Sequence, residues 1–463
     1  MLAAAAVSPF VEEVLIIDKE NALSGAGSEE ELRKEFAAAG ANILERAKLR
    51  RGVPQYIQPH GLLCRATHSV ELLLPGWKDL ATGLGGRVTP PGRVKTFYRG
   101  DWTHHPMDTT GLITINGSRA LIESSIRTRL MALHSNVHFH CGCWAAAPLW
   151  SADGSCMEGV ETKGGQEFRA DLVIDAAGRR SPVPGWLAAG GFAPPRQVEV
   201  DPHVTYTSRL YRTPRQDMKG KDWDAIYIRP TAPNTRGGLL QRIENDLLLC
   251  CVWGYSGDHP PHSEQGFQEF VASLERRDVY EAIKDTEPLT QPISYSQMTN
   301  LRRLYEDIPM PGGLAVVGDS LAGFNPVYGQ GISVAAIEAE TLQGLLQEKA
   351  KETHASKVTA ADLASVAAPF QAMAKDIVDF PFSVSTGGDL DYEGTTGERP
   401  KKLLVEKLMS GYLEALIKLA ADDITVFKAI QEVMNMMTTP ESLLRPALIA
   451  KALHMRIARL LST

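Results

Sequence analysis

Residues 318–331, Gly-Asp-Ser-Leu-Ala-Gly-Phe-Asn-Pro-Val-Tyr-Gly-Gln-Gly, constrain this chain more than any other stretch. They follow the apolar run Leu314, Ala315, Val316, Val317 and precede Ile-Ser-Val-Ala-Ala-Ile-Glu-Ala at 332–339. The order reads strand, loop, helix. Gly318 and Asp319 at a strand end, the turn stiffened by Pro326 and the Gly-flanked helix start suit a cofactor that carries a polyol and a diphosphate. Asp319 can accept hydrogen bonds from hydroxyls. The N–H groups of Gly329, Gln330 and Gly331 form a positive helix end for an anionic ring or phosphate. Ala335, Ala336 and Ala339 give the helix a small face that can lie close against a sheet.

The rest of the composition narrows the class. At 463 residues the chain holds roughly two to three domains, and 44% hydrophobic content is ample for a large core. A net charge of -7 argues against a nucleic-acid partner. The six cysteines (64, 141, 143, 156, 250, 251) lack zinc-ligand spacing, so no metal site is expected. They read as reduced thiols in an intracellular reducing compartment, with the cytoplasm favoured. No run reaches the ~18 apolar residues of a spanning helix. The apolar residues 1–7 lack a basic flank and meet Ser8-Pro9 at once, unlike a signal peptide. The stretch 443–461 mixes Leu and Ile with Arg445, Lys451, Arg456 and Arg459. It reads first as a helix packed on the body and second as a peripheral membrane contact.

Along the chain, Val14-Leu15-Ile16-Ile17 reads as a fully buried strand ending in Asp18. An acidic residue at the end of the second strand of a nucleotide-binding unit hydrogen-bonds a ribose. Ser118 caps a helix through Leu133 that carries Arg119 and Arg127. Residues 137–147 and 157–168 read as strands with an Asp153-Gly154 turn between them. Leu172-Val173-Ile174-Asp175 is another buried strand that runs through Ala176-Ala177 into Gly178. A β-rich region follows at 198–253, then a helix over 264–275. Residues 350–360 and 386–402 read as polar linkers, and the end as mostly helical with a break at Pro446.

The expected class is α/β: a doubly wound nucleotide-binding fold, interrupted by a mixed or antiparallel sheet and followed by a C-terminal helical region. The cofactor domain is expected from 1–190 and 295–350, with 87–105 assignable to the second sheet. A substrate domain is expected at 191–294 and the helical region at 351–463.

Three segments carry a resemblance. Residues 318–331, the Asp175-to-Gly178 segment and the strand ending at Asp18 resemble the FAD-dependent monooxygenases of the aromatic-hydroxylase and squalene-epoxidase superfamily. A closer likeness, to an uncharacterised branch of it, rests on Arg50 to Gln55, His60 to Leu63, Tyr255 to Pro261 and Leu443 to Pro446. The resemblance implies FAD, with NAD(P)H as co-substrate and O2 as oxidant, acting on an apolar or aromatic small molecule by hydroxylation or epoxidation. Asp319 would then bond the ribityl chain, and Gly329, Gln330 and Gly331 would face the flavin. Asp18 would bind the adenosine ribose. Arg51 and Arg119 would lie near the pyrophosphate or the isoalloxazine, and Asp175 and Gly178 would shape the loop over the cofactor. His60, Asn325 and Tyr328 could line the pocket or merely shape its loops. No acid, base or nucleophile is assigned, because the cofactor carries the chemistry.

The departures matter. The family begins with a short strand and Gly-x-Gly-x-x-Gly ahead of its first helix, whereas residues 2–7 already look like that helix. An N-terminally truncated sequence is one expectation, and a flavin-free binding protein is the other. Gly25-Ala26-Gly27-Ser28-Glu29-Glu30 is a decoy, since it places two carboxylates where a diphosphate would lie. The Trp-x-Trp-x-Ile-Pro halogenase signature is absent. The same fold also serves flavin-dependent reductases of prenyl-type substrates, so fold alone does not settle the reaction.

Overall fold

The computed structural model describes residues 1–20, 27–38, 43, 47–48, 50, 52–53, 55–212, 220–296, 298–398 and 404–462. The expected α/β class is present. Arg51 lies outside the described residues, as do Gly25 and Ala26 of the Gly25–Glu30 decoy.

Two parallel strand pairs hold the sequence's acidic strand ends. Val14–Asp18 pairs with Val137–Cys141, setting Asp18 opposite Cys141. Val173–Asp175 pairs with Leu314–Val316, setting Asp175 opposite Val316. Among the described residues no strand joins the two pairs into one ladder. Leu314, Ala315 and Val316 are fully buried, as the continuous apolar run requires.

Helix Gly331–Glu352 follows directly and fixes the arrangement. Its small face meets a helix rather than a sheet. Ala336 and Ala339 pack into the same cluster as Ala4, Ala5 and Ala6 of helix Leu2–Val7, with Val70 and Leu73 of helix Cys64–Leu73. Alanine on both sides lets the backbones approach closely. The opposite face, through Val334, Leu342 and Leu346, packs with Phe370, Ala374 and Val378 of helix Ala367–Asp389.

The β-rich middle forms an eight-stranded sheet in the order Glu287–Pro288, Thr205–Arg212, Leu247–Gly254, Arg236–Ile243, Ala225–Ile228, Val94–Tyr98, Asp101–Thr103, with Ile293–Tyr295 also on Thr205–Arg212. Strand alternation sorts its faces. Leu248, Cys250 and Val252 point at Phe267, Phe270 and Val271 of helix Glu264–Ala272. Cys251 and Trp253 point the other way, into a cluster with Tyr206, Tyr255, Met298 and Tyr392. Each buried Phe adds roughly 1.5–3 kcal/mol. Of residues 87–105, Val94–Tyr98 and Asp101–Thr103 lie in this sheet, while Arg87–Thr89 pairs with Thr114–Asn116 instead.

A smaller antiparallel sheet, Ala322–Gly323, Asn300–Arg303, Gln197–Asp201 and Thr396–Gly397, draws on distant parts of the chain. The polar run read as a linker at 386–402 begins as helix, because Ala367–Asp389 continues to its last residue. Ser385 and Asp389 are fully buried there. Their polarity serves internal hydrogen bonds, not solvent. The last helices share a core of Leu416, Val426, Phe427 and Leu448. Asn435 ties this region to the body, accepting from Cys64 N at 3.1 Å and Arg65 N at 3.2 Å. Pro446 opens the last helix.

Candidate functional site

The 318–331 segment folds as a strand end, a short turn and a helix start. Gly318 adopts φ +60, which a glycine tolerates without strain. Its N–H donates to Glu338 Oε2 at 2.6 Å. Glu338 sits on the first turns of helix Gly331–Glu352 and is fully buried. Burial pushes its carboxyl up to about 8, the Gly318 hydrogen bond opposing and the Asp319 charge adding. It is therefore a neutral acid near pH 7, and its Oε1 has no hydrogen-bond partner.

Asp319 is 43% exposed, and its Oδ2 lies 3.4 Å from Arg179 Nε. A Cβ on Gly331 would stand 3.8 Å from its other oxygen. The carboxylate thus stands beside the N-terminus of a 22-residue helix whose cap, Gln330, makes no side-chain capping bond. The first N–H groups of that helix have no partner within it, and the dipole favours an anion or an electron-rich ring edge there. Gly329, at φ +68, has open space where a side chain would be. Pro326 begins the short 3-10 turn Pro326–Tyr328, and Asn325 caps it by accepting from Val327 N at 3.2 Å.

The Asp175-to-Gly178 loop is tied to this turn. Asp175 accepts from Ala177 N at 3.0 Å, Ser320 Oγ at 3.1 Å and Ser181 Oγ at 2.5 Å. Burial raises its carboxyl above the usual range, against the pull of these bonds. Gly178 N donates to Ser320 Oγ at 2.8 Å, and Gly178 itself has φ +85 with open space at its Cβ. Asp175 therefore shapes and joins the two loops from below.

Asp18 and Arg119 belong to a second cluster. Asp18 Oδ1 accepts from Glu20 N at 2.9 Å, and its Oδ2 lies 3.3 Å from Arg50 Nη1. Arg50 Nε is 2.8 Å from Glu123 Oε1, and Glu123 Oε2 takes Arg119 Nε at 3.2 Å. Arg50, absent from the sequence-based candidates, is the residue that links Asp18 to Glu123. His60 lies near Arg119. Burial lowers its pKa to about 3, the Arg119 charge adding, so it is neutral. Its Nδ1 is 2.8 Å from Gln58 O.

Sequence reading missed three further residues. Arg179 packs against Gly323, bonds the Thr299 carbonyl and gives 2.6 Å to the Phe324 carbonyl. Arg303 staples both loops, reaching Ser320 O at 2.7 Å and Arg179 O at 2.6 Å. Asp389, from the supposed linker, accepts from Asn300 at 2.7 Å, Asn325 at 3.0 and 3.1 Å and Tyr328 Oη at 3.1 Å. Burial pushes its carboxyl up to about 6, against these hydrogen bonds. Asn325 is thereby spent on the turn. The only available signal was an Asp at the end of a run of Ser, Thr and Gly.

The residues fit a flavin dinucleotide at its flavin and ribityl end: a half-exposed acceptor, an open helix start and two glycines with free space above them. An open groove of about 610 Å³, lined by Arg99, Gly100, Thr231, Pro233, Glu275 and Glu414 among others, contains none of these residues.

No family model matches the chain. It is 26% identical over 187 residues to Protein Rv3254 of Mycobacterium tuberculosis, covering 40% of this chain and 39% of that protein. The chain thus spans well under half the length of that curated relative. Among solved structures it is similar to a flavoprotein/dehydrogenase from Cytophaga hutchinsonii, with TM-score 0.60 and 12% identity over 96% of this chain and 99% of that one. The chain shares the fold of that protein. It is also similar to pqsL, a probable FAD-dependent monooxygenase from Pseudomonas aeruginosa, with TM-score 0.54 and 14% identity over 82% of this chain and 97% of that one. At these identities the likeness is one of fold.

Proposed function

We propose that this chain is a flavin-dependent monooxygenase that draws electrons from NAD(P)H and inserts one atom of O2 into an apolar or aromatic small molecule. One observation carries the reading: Asp319 stands half-exposed at a buried strand end, beside the uncapped start of helix Gly331–Glu352. FAD, when bound, supplies hydride acceptance and oxygen activation. The chain's own residues position and shield it. Asp319 would accept from the ribityl hydroxyls. The N–H groups of residues 329–331 would stabilise negative charge on the ring edge. Asp18 would receive the ribose, and Arg119 the diphosphate side. Asp175, Gly178 and Arg179 hold the neighbouring loop against the turn. The aromatic cluster of Tyr206, Trp253, Tyr255 and Tyr392 offers an apolar wall that keeps water away.

The doubly wound arrangement and the division into a cofactor domain, a substrate domain and a helical region belong to the same proposal. A peripheral membrane contact through the last helix is supported by the exposed Ile449, Leu453 and Ile457, spaced four residues apart. The six free thiols suit a reducing compartment.

The test is NADPH oxidation by the purified protein with oxygen uptake followed in the same vessel. Uptake matched to NADPH consumption, with labelled oxygen in the product, supports the monooxygenase. NADPH consumed anaerobically at the same rate with a reduced product, and no oxygen uptake in air, identifies a reductase instead.

A further inference from the structure

Asp224 is one carboxylate shared by three arginines. It immediately precedes strand Ala225–Ile228 and is buried. Its Oδ1 accepts from Arg87 Nη2 at 2.7 Å and lies 3.6 Å from Arg242 Nη1, and its Oδ2 accepts from Arg93 Nε at 2.7 Å. The arginines come from three separate elements: strand Arg87–Thr89, the 3-10 turn Pro91–Arg93 and strand Arg236–Ile243. The backbone holds them in register. Asp224 N donates to the Arg93 carbonyl at 2.8 Å, and Arg242 N to the Asp224 carbonyl at 3.0 Å. Among the described residues, none of the 318–331 turn bonds to this cluster.

Charge does not balance here. Three cations around one anion leave two positive charges in excess, and partly buried cations without counter-charge are costly. Burial opposes the ionisation of Asp224, yet the Arg93 and Arg87 hydrogen bonds hold its carboxyl below the usual range. Burial, and then the Arg87 charge, lowers the pKa of Arg242 against the pull of Asp224. Donors are in surplus too. Arg87 uses only Nη2, and its buried Nε–H has no acceptor. Arg93 adds one bond from Nη2 to the Lys221 carbonyl at 3.1 Å, and Arg242 one of 3.4 Å to the Trp223 carbonyl. Each guanidinium carries five N–H groups, so most of these donors have no protein acceptor, and all three side chains reach solvent. The neighbouring charges leave the surplus in place. Asp222 stands beside Lys221 and 3.9 Å from His104. Asp246 acts on Arg242 more weakly than Asp224 does. Glu244 is committed to Ser118 N at 2.9 Å.

We propose that Arg87, Arg93 and Arg242 bind a phosphoryl dianion, carried by inorganic phosphate or by an organic phosphate monoester. Guanidinium forks match phosphate oxygens in paired, charge-assisted hydrogen bonds. A dianion neutralises the two excess charges and supplies acceptors for the unused N–H groups. A monoanion leaves one charge uncompensated. Asp224 gathers the three side chains in advance, which lowers the ordering cost of binding. The site stands apart from the flavin reading, since it shares no residue with the cofactor turn or the Asp18 cluster.

The test is calorimetric titration of the purified chain at low ionic strength and about pH 8, above the second pKa of ~6 of a phosphate monoester. The probes are inorganic phosphate, phenyl phosphate and the monoanion dimethyl phosphate. The expected result is at least about tenfold tighter binding of the dianions than of dimethyl phosphate, the scale of a charge-assisted fork. Tighter binding of phenyl phosphate than of inorganic phosphate marks an organic ester as the ligand, and the reverse marks free phosphate. Arg87→Met loses about tenfold or more of the dianion affinity, and Arg87→Lys keeps part of it. Arg93→Gln carries the same test if Arg87→Met fails to fold. Bound phosphate also raises the melting temperature of the wild type by mass action, and that of Arg87→Met less. No binding of either dianion, equal affinity for dianions and dimethyl phosphate, or unchanged dianion affinity in the folded arginine variants overturns the proposal.

Discussion

At the scale of single residues, Glu338 shows how a buried charge group is handled beneath a cofactor turn. Its carboxyl has one partner, Gly318 N–H, and one oxygen with none. Burial, with Asp319 close by, raises it to about 8. The folded state holds this proton while the unfolded chain releases it near its ordinary value of 4.5. The folded state therefore binds more protons between those two values, and stability falls as pH rises through that window. Glu338→Gln keeps an acceptor for Gly318 and removes the titration. The expected outcome is a variant more stable than the wild type at pH 8 by ~2–4 kcal/mol. Denaturant melts at pH 5 and pH 8 check it, and identical pH slopes in the two proteins would contradict the assignment. Asp319, one residue from Gly318, is 43% exposed beside Arg179 and accessible to a ligand. The two carboxyls divide the work between structure and binding.

At the scale of elements, the strand–turn–helix at 314–352 was readable because its signals are local: an apolar run, glycines where φ is positive, and a Pro at a turn start. The Ser118 cap was readable for the same reason, and Ser118 does accept from Leu121 N at 3.1 Å. Helix Ala367–Asp389 was only partly readable. Its last turn is polar because Ser385 and Asp389 bond Asn300, Asn325 and Tyr328, which lie more than sixty positions away. No period or composition signals such a partner. The partner of the Ala336–Ala339 face was hidden likewise, since a small face suits a helix and a sheet equally. The role of this helix end is testable. Asp389→Asn would set an amide N–H against three donors. The expected cost is ~1–3 kcal/mol in thermal or chemical melts, with weaker flavin retention because the Pro326–Tyr328 turn loses its anchor. Unchanged stability would show that these hydrogen bonds contribute nothing net.

At the scale of the whole molecule, the sequence named the acidic strand ends but not their separation into two clusters. One gathers Asp18, Arg50, Glu123 and Arg119. The other gathers Asp175, Ser320, Gly178, Asp319 and Arg179. Both pairings depend on contacts over long chain distances, which spacing cannot reveal. The last helix, Pro446–Ser462, leaves Leu453 53% and Ile457 56% exposed. If that stripe meets a lipid surface, sedimentation with anionic vesicles will retain the wild type and lose most of Leu453→Asp. Equal recovery of both in the supernatant rules the contact out.

The central claim is that residues 318–331 form the flavin end of a FAD site. Its most direct test is equilibrium titration of the flavin-stripped chain with FAD, wild type against Asp319→Ala, followed at the flavin band near ~450 nm. The account predicts saturable binding by the wild type. It predicts about 10- to 100-fold weaker binding by the variant, the cost of one charge-assisted acceptor, with an unchanged melting temperature because Asp319 is half-exposed. Failure of the wild type to bind FAD, or equal affinity of the two proteins, would contradict it.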